Sequence, residues 1–155
     1  MPTTIPPRSK IDKKYTWNAE SVFPNDEAWE KETDKIVEDI PSVKKFQGRL
    51  GEGAATLLEA MQAYESLVSR AYIAGMYANF SYSVDTTNQK ASGMRGKASG
   101  MFGQVASTVS FFQPELLEVG KAKLDEFAQQ EEKLSVYKHS FEDLFRKQEH
   151  VRSAE

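Results

Sequence analysis

Leu57-Leu58-Glu59-Ala60-Met61-Gln62-Ala63-Tyr64-Glu65-Ser66-Leu67-Val68-Ser69-Arg70-Ala71-Tyr72 places its apolar residues at 57, 58, 61, 64, 67, 68, 71 and 72. Steps of three and four, never a sustained two, put those side chains on one face of an α-helix. Downstream, Tyr72, Tyr77, Phe80 and Tyr82 continue the helical reading, although such aromatic density also suits a strand. A break near Ser69 would turn the segment into two helices. Asp85-Thr86-Thr87-Asn88 ends it and offers a new cap. Upstream lies the turn region Gly48 to Gly53, and before it Trp29, Ile36, Ile40 and Val43 fall at spacings of 7, 4 and 3. Asn25 is the expected cap of that earlier helix, with Asp26 and Glu27 complementing the dipole in its first turn. Pro41 is expected to kink or restart it, because proline removes a backbone donor and crowds the preceding turn.

Beyond that stop a further helix is expected from about Thr87 to Phe112. Pro114 should end it and sit in the first turn of the next, which begins with Glu115. Leu134, Tyr137, Phe141, Leu144 and Phe145 then share one face near the C-terminus. At the other end, three prolines in the first seven residues and the charged run Arg8 to Lys14 predict an extended arm over 1–14. No segment alternates with period two between hairpin turns, so the expected fold is all-α: an antiparallel bundle of helical hairpins preceded by the arm. A helical lobe is expected over 15–152, with a possible division into about 15–112 and 113–152. Arg152-Ser153-Ala154-Glu155 reads as the beginning of another helix, which predicts a truncated next element over 153–155; a frayed tail is the alternative.

Composition narrows the function classes. The 155 residues suit one domain, and 39% of hydrophobic type with 9 glycines suffices for a packed core. Twenty Lys and Arg against 23 Asp and Glu leave a net charge of -3, so no global field holds a polyanion, and nucleic acid is not an expected partner. Without cysteine there are no disulfides, thiolate metal sites or thiol nucleophiles, which is compatible with the cytoplasmic location expected here. The N-terminus lacks the apolar segment of a secretory signal. The least polar stretch, Ala98 to Pro114, is interrupted by Ser, Thr, Gln and Gly, so no membrane span is expected.

The most unusual pattern is a line of small residues, Gly93, Gly96, Gly100, Gly103, Ser107 and Ser110, beside a bulky stripe of Met94, Ala98, Met101, Val105 and Phe112. Four interior glycines cost about 4 kcal/mol relative to alanine. Close packing of a neighbouring helix is the expected compensation. A solvent-facing seam and contact with a bound peptide are the other two readings.

No complete active site is legible. The only histidines, His139 and His150, lie 11 residues apart, and neither has another histidine at a chelating spacing. Val136 and Lys147 stand three residues before them, so the Glu-x-x-His pairs of di-iron bundles are absent, as is His-Glu-x-x-His. Both histidines read as helix-surface or helix-end residues. Gly-x-Ser-x-Gly does not occur, and the glycine pairs around Met94-Arg95 and Met101-Phe102 lack the spacing of a phosphate loop. Glu131-Glu132 and Glu142-Asp143 read as solvated helix faces, not acid and base pairs. No catalytic, cofactor-binding or metal-ligating residue is therefore assigned.

Taken together, several segments resemble the N-terminal region of oligoendopeptidase F, a zinc metallopeptidase of the thimet oligopeptidase-like clan. They are Tyr15-Thr16-Trp17-Asn18 with Val22-Phe23 and the Trp29 helix, Phe46-Gln47-Gly48-Arg49-Leu50, and Val84-Asp85-Thr86-Thr87-Asn88. Phe111-Phe112-Gln113-Pro114-Glu115-Leu116 and Tyr137-Lys138-His139-Ser140-Phe141-Glu142, with Arg146 and His150-Val151-Arg152-Ser153, complete the set. The resemblance implies a non-catalytic helical lobe beside a channel that admits short unfolded peptides. It implies a catalytic domain of the same enzyme as partner in cis, oligopeptides as the parent's substrates, and zinc in the full-length parent. In that family the metal is held by a His-Glu-x-x-His helix and a downstream glutamate, so no family ligand maps onto this chain. Channel-lining residues are expected on the glycine-bearing helix or between Tyr72 and Tyr82. A free-standing helical interaction module, or a protein self-associating through exposed apolar faces, is the alternative reading.

Overall fold

The computed structural model describes Pro6 and residues 8–150, without the side chains of Ser9 and His150. Six α-helices follow one another: α1 (Asp26–Lys44), α2 (Ala54–Val84), α3 (Gln89–Val109), α4 (Phe112–Val119), α5 (Lys121–Gln130) and α6 (Lys138–Arg146). Short 3-10 turns lie at Arg8–Lys10, Lys13–Tyr15, Ala19–Ser21, Glu132–Tyr137 and Gln148–His150, and there is no strand among the described residues. The all-α expectation is met. The extended arm is not: its described part, from residue 8, winds into two of these turns, because Asp12 accepts the Lys14 backbone N–H and Arg8 Nη2 donates to the Trp17 carbonyl at 2.9 Å. The expected element at 153–155 and the beginning of the arm lie outside the described residues.

Helix limits follow local chemistry. Asn25 Oδ1 accepts the Ala28 N–H at 2.8 Å, the expected cap of α1. Asn88 Oδ1 likewise accepts the Ala91 N–H at 3.1 Å and opens α3. Pro41 does not restart α1, which runs through it to Lys44. The helix α2 is unbroken at Ser69. The helix α3 ends at Val109, earlier than expected; Phe111 and Phe112 turn inward, their rings 4.6 Å apart and both buried, and Pro114 falls within the first turn of α4. Gly120, at a φ of 85°, separates α4 from α5 in a conformation that a β-carbon penalises.

Two compact units form, each from separated stretches of chain. The first groups the chain up to Glu38 with Ser69–Gly103, the second Asp39–Val68 with the chain from Gln104 onward. The sequence reading puts a division near residue 112, whereas the contacts draw boundaries inside α1, α2 and α3. The 31 residues of α2 extend about 46 Å, more than one small core needs, so its two halves serve different units.

In the first unit Trp29 is 2% exposed, and its indole Nε1–H donates to the Ala74 carbonyl at 2.8 Å. A buried line of small residues, Ala71, Ala74, Gly75 and Ala78, lets the neighbouring side chains reach the α2 backbone. Along the α1 flank, Arg70 pairs with Glu32 at 2.5 Å, Lys90 with Asp26 at 2.7 Å and Lys97 with Asp34 at 2.7 Å. In the second unit the 45–53 loop is fastened by Glu115, whose carboxylate accepts the Gly48 N–H at 2.9 Å and the Leu50 N–H at 2.7 Å. Gly48 has a φ of 79°, so the loop turn calls for glycine there. Leu50, Leu57, Leu124 and Leu134 are fully buried in this unit.

Candidate functional site

The seam of glycines on α3 is open. A β-carbon added at Gly93, Gly96, Gly100 or Gly103 would meet nothing within 4 Å, and all four residues are exposed. The expectation of a helix packed against them is therefore corrected within this chain. The bulky stripe does face inward: Met94, Ala98, Met101, Val105 and Phe112 are all buried. Close approach occurs instead at Gly75 of α2, where an added β-carbon would stand 2.0 Å from Cε2 of Phe102. The signal for it was present in the sequence as Ala71, Ala74, Gly75 and Ala78 at helical spacing, overshadowed by the longer glycine pattern of α3.

A groove of about 300 Å³ lies over this contact, within the first unit. Tyr72, Gly75, Met76 and Asn79 of α2 form one wall, and Arg95, Ala98, Ser99 and Phe102 of α3 the other. Tyr72 is 61% and Met76 37% exposed, and the Tyr72 ring meets Phe102 edge-on at 6.0 Å. Such an exposed cluster of large apolar side chains is a feature of binding surfaces. Its electrostatics are one-sided, because Asp85 is the sole carboxylate from Ser66 to Pro114, a stretch that also holds Arg70, Lys90, Arg95 and Lys97. Lys90 and Lys97 are paired with α1 carboxylates. Arg95 has no ion pair among the described residues and lies over the Tyr82 ring, 4.6 Å from its centroid.

Elsewhere the polar groups are committed. A hollow of about 770 Å³ between Trp17 and the 83–88 turn is bordered by Asp85, whose Oδ1 accepts both N–H and O–H of Thr87. Hydrogen bonds from Thr87 lower the Asp85 carboxyl. The Glu142-Asp143 run is a salt-bridged helix end: Asp143 takes Arg146 and Lys147, and these hydrogen bonds hold its carboxyl at about 2. Glu131 caps the following turn through the Lys133 N–H. His139 is exposed on α6, and the His150 side chain is outside the described set. Among the described residues no three His, Cys, Asp or Glu gather as a metal site. The donor set here therefore does not fit the zinc that the resemblance implies for the parent. No helix among them is long and apolar enough to cross a membrane.

A family model described as Oligopeptidase F matches residues 115–155. The chain is 34% identical over 149 residues to Oligopeptidase PepF of Bacillus subtilis, covering 96% of this chain and 22% of that protein. It is 33% identical over 146 residues to Group B oligopeptidase PepB of Streptococcus agalactiae, covering 94% and 24%. The crystal structure of oligoendopeptidase-F from Enterococcus faecium superposes with a TM-score of 0.79 at 26% identity, over 84% of this chain and 26% of that one. The chain thus spans about a quarter of the length of these relatives. Two sequence segments behind the resemblance, Phe46 to Leu50 and Phe111 to Leu116, are the pair that Glu115 joins. The chain belongs to the oligoendopeptidase F family and corresponds to its N-terminal region.

Proposed function

We propose that this chain is the non-catalytic helical lobe of an oligoendopeptidase F-type zinc peptidase, and that the open faces of α2 and α3 help to form its substrate channel. The observation that carries this reading is the coincidence of three features on one surface. The α3 glycines are bare, the Tyr72–Phe102 groove is apolar and open, and the stretch from Ser66 to Pro114 that supplies both holds a single carboxylate, Asp85. A surface kept only for solubility would be expected to carry dispersed charges. Bare backbone beside aromatic side chains suits an extended peptide, which offers its own polar backbone and alternating side chains. Peptide hydrolysis and zinc belong, on this reading, to the portion of the relatives' length that this chain does not span, and that portion is its partner in cis.

The test is an assay of a quenched fluorescent oligopeptide with this chain alone, with the separately expressed remainder of the parent enzyme alone, and with the two mixed, each with and without a zinc chelator. Turnover is expected only where the catalytic half is present, and it should rise when this chain is added. Chelator-sensitive turnover by this chain alone would overturn its non-catalytic role. If the halves do not associate, a free-standing interaction module becomes the better account.

A further inference from the structure

We infer that Arg95 and the groove beside it form a subsite for the C-terminal end of an oligopeptide, with the guanidinium taking the terminal carboxylate and the Tyr72–Phe102 cleft taking an apolar side chain. This rests on the proposed peptide-channel role and gives it a specificity-determining residue. Of the three cations on α3, Lys90 and Lys97 are neutralised by Asp26, Glu30 and Asp34, while Arg95 has no carboxylate partner among the described residues. It lies over the Tyr82 ring, 4.6 Å from the centroid. No hydrogen bond among the described residues takes up its N–H groups, and that planar fork matches a carboxylate. The neighbouring helical stretch supplies only Asp85, which is already bonded to Thr87.

The groove sits directly beside this charge, since Arg95 is one of its walls. Its 300 Å³ lies at the small end of ligand pockets, fitting a terminal residue and not a long segment. Tyr72 and Met76 supply apolar surface, the Phe102 ring packed onto Gly75 forms the cleft floor, and Asn79 offers an amide to a peptide unit. Gly96 and Gly103, on α3 next to Ser99, raise no side chain against the preceding residues of the ligand. A free terminal carboxylate is a property of short peptides that a folded protein's interior sequence lacks, so this subsite would favour short substrates.

The experiment compares two pentapeptides of one sequence ending in Phe, one with a free C-terminal carboxylate and one amidated, with versions ending in Gly. Binding to this chain is followed by amide chemical shifts and by titration. The free acid ending in Phe is expected to perturb Arg95, Ser99 and Phe102, and to bind about tenfold more tightly than its amide. Arg95→Gln should abolish that preference while Arg95→Lys keeps part of it, with the thermal midpoint of both variants unchanged. If acid and amide bind this groove equally, or if Arg95→Gln keeps the preference, the carboxylate subsite is wrong while the channel role stands. If no peptide perturbs the groove in either form, both readings fall.

Discussion

Phe102 lays its ring against Gly75: the place where a Gly75 β-carbon would sit is 2.0 Å from that ring. The ring occupies that space and so sets the floor of the groove. Gly100, on the same helix as Phe102, has nothing within 4 Å of its own β-carbon position. Alanine should therefore act in opposite directions at the two sites. Gly75→Ala gains helix propensity but forces the ring out, for a net loss of about 1 kcal/mol. Gly100→Ala meets no obstacle and should stabilise by up to about 1 kcal/mol. Denaturant midpoints of the two variants check the pair, and a shift of the same sign in both would contradict the packing described.

Trp29 should dominate the first unit. Its side chain is buried and bonded to the Ala74 carbonyl. Trp29→Ala is expected to cost about 3–5 kcal/mol through the cavity it leaves. Trp29→Phe, which keeps an aromatic ring but loses the donor and some volume, should cost about 1–2 kcal/mol. Equilibrium unfolding by urea measures both.

Glu115 should hold the 45–53 loop. Removing its carboxylate in Glu115→Ala leaves the Gly48 and Leu50 N–H groups without that acceptor, at a cost of about 1–3 kcal/mol. Faster amide hydrogen exchange at those two residues is the local readout. Glu115→Gln, retaining one oxygen acceptor, should show a smaller effect.

Two side chains make stability depend on pH in opposite ranges. Hydrogen bonds from Lys147 and Arg146 hold the Asp143 carboxyl at about 2, against an ordinary 3.8. A lowered carboxyl pKa contributes stability above the unfolded value, and that contribution disappears as pH falls from about 4 to 2. The difference in thermal midpoint between the wild type and Asp143→Asn should shrink over that interval. Burial, followed by the hydrogen bond to Glu65, pushes the Tyr137 phenol up to about 12 from an ordinary 10.0. Its raised value makes its contribution complete below about 10 and lost as pH rises towards 12. A Tyr137→Phe comparison across that alkaline interval should show the same narrowing.

The helical class, the cap at Asn25, a cap within 85–88 and the bulky stripe of α3 were all legible in the chain, because each depends on residues within a turn or two of one another. The resemblance to oligoendopeptidase F was legible too, since it is carried by ordered short segments. Which small residues meet a neighbour was not. Gly75 and the α3 glycines have the same local character, and only the packing of α3 on α2 puts the Phe102 ring against one and open space against the others. The same holds for Arg95, whose freedom becomes visible once Lys90 and Lys97 are seen to spend their charge on α1. Glu115 carries the same lesson, because its partners Gly48 and Leu50 stand 67 and 65 residues away. Periodicity records which side of a helix turns inward, whereas the identity of what it meets there depends on contacts between residues far apart in the chain.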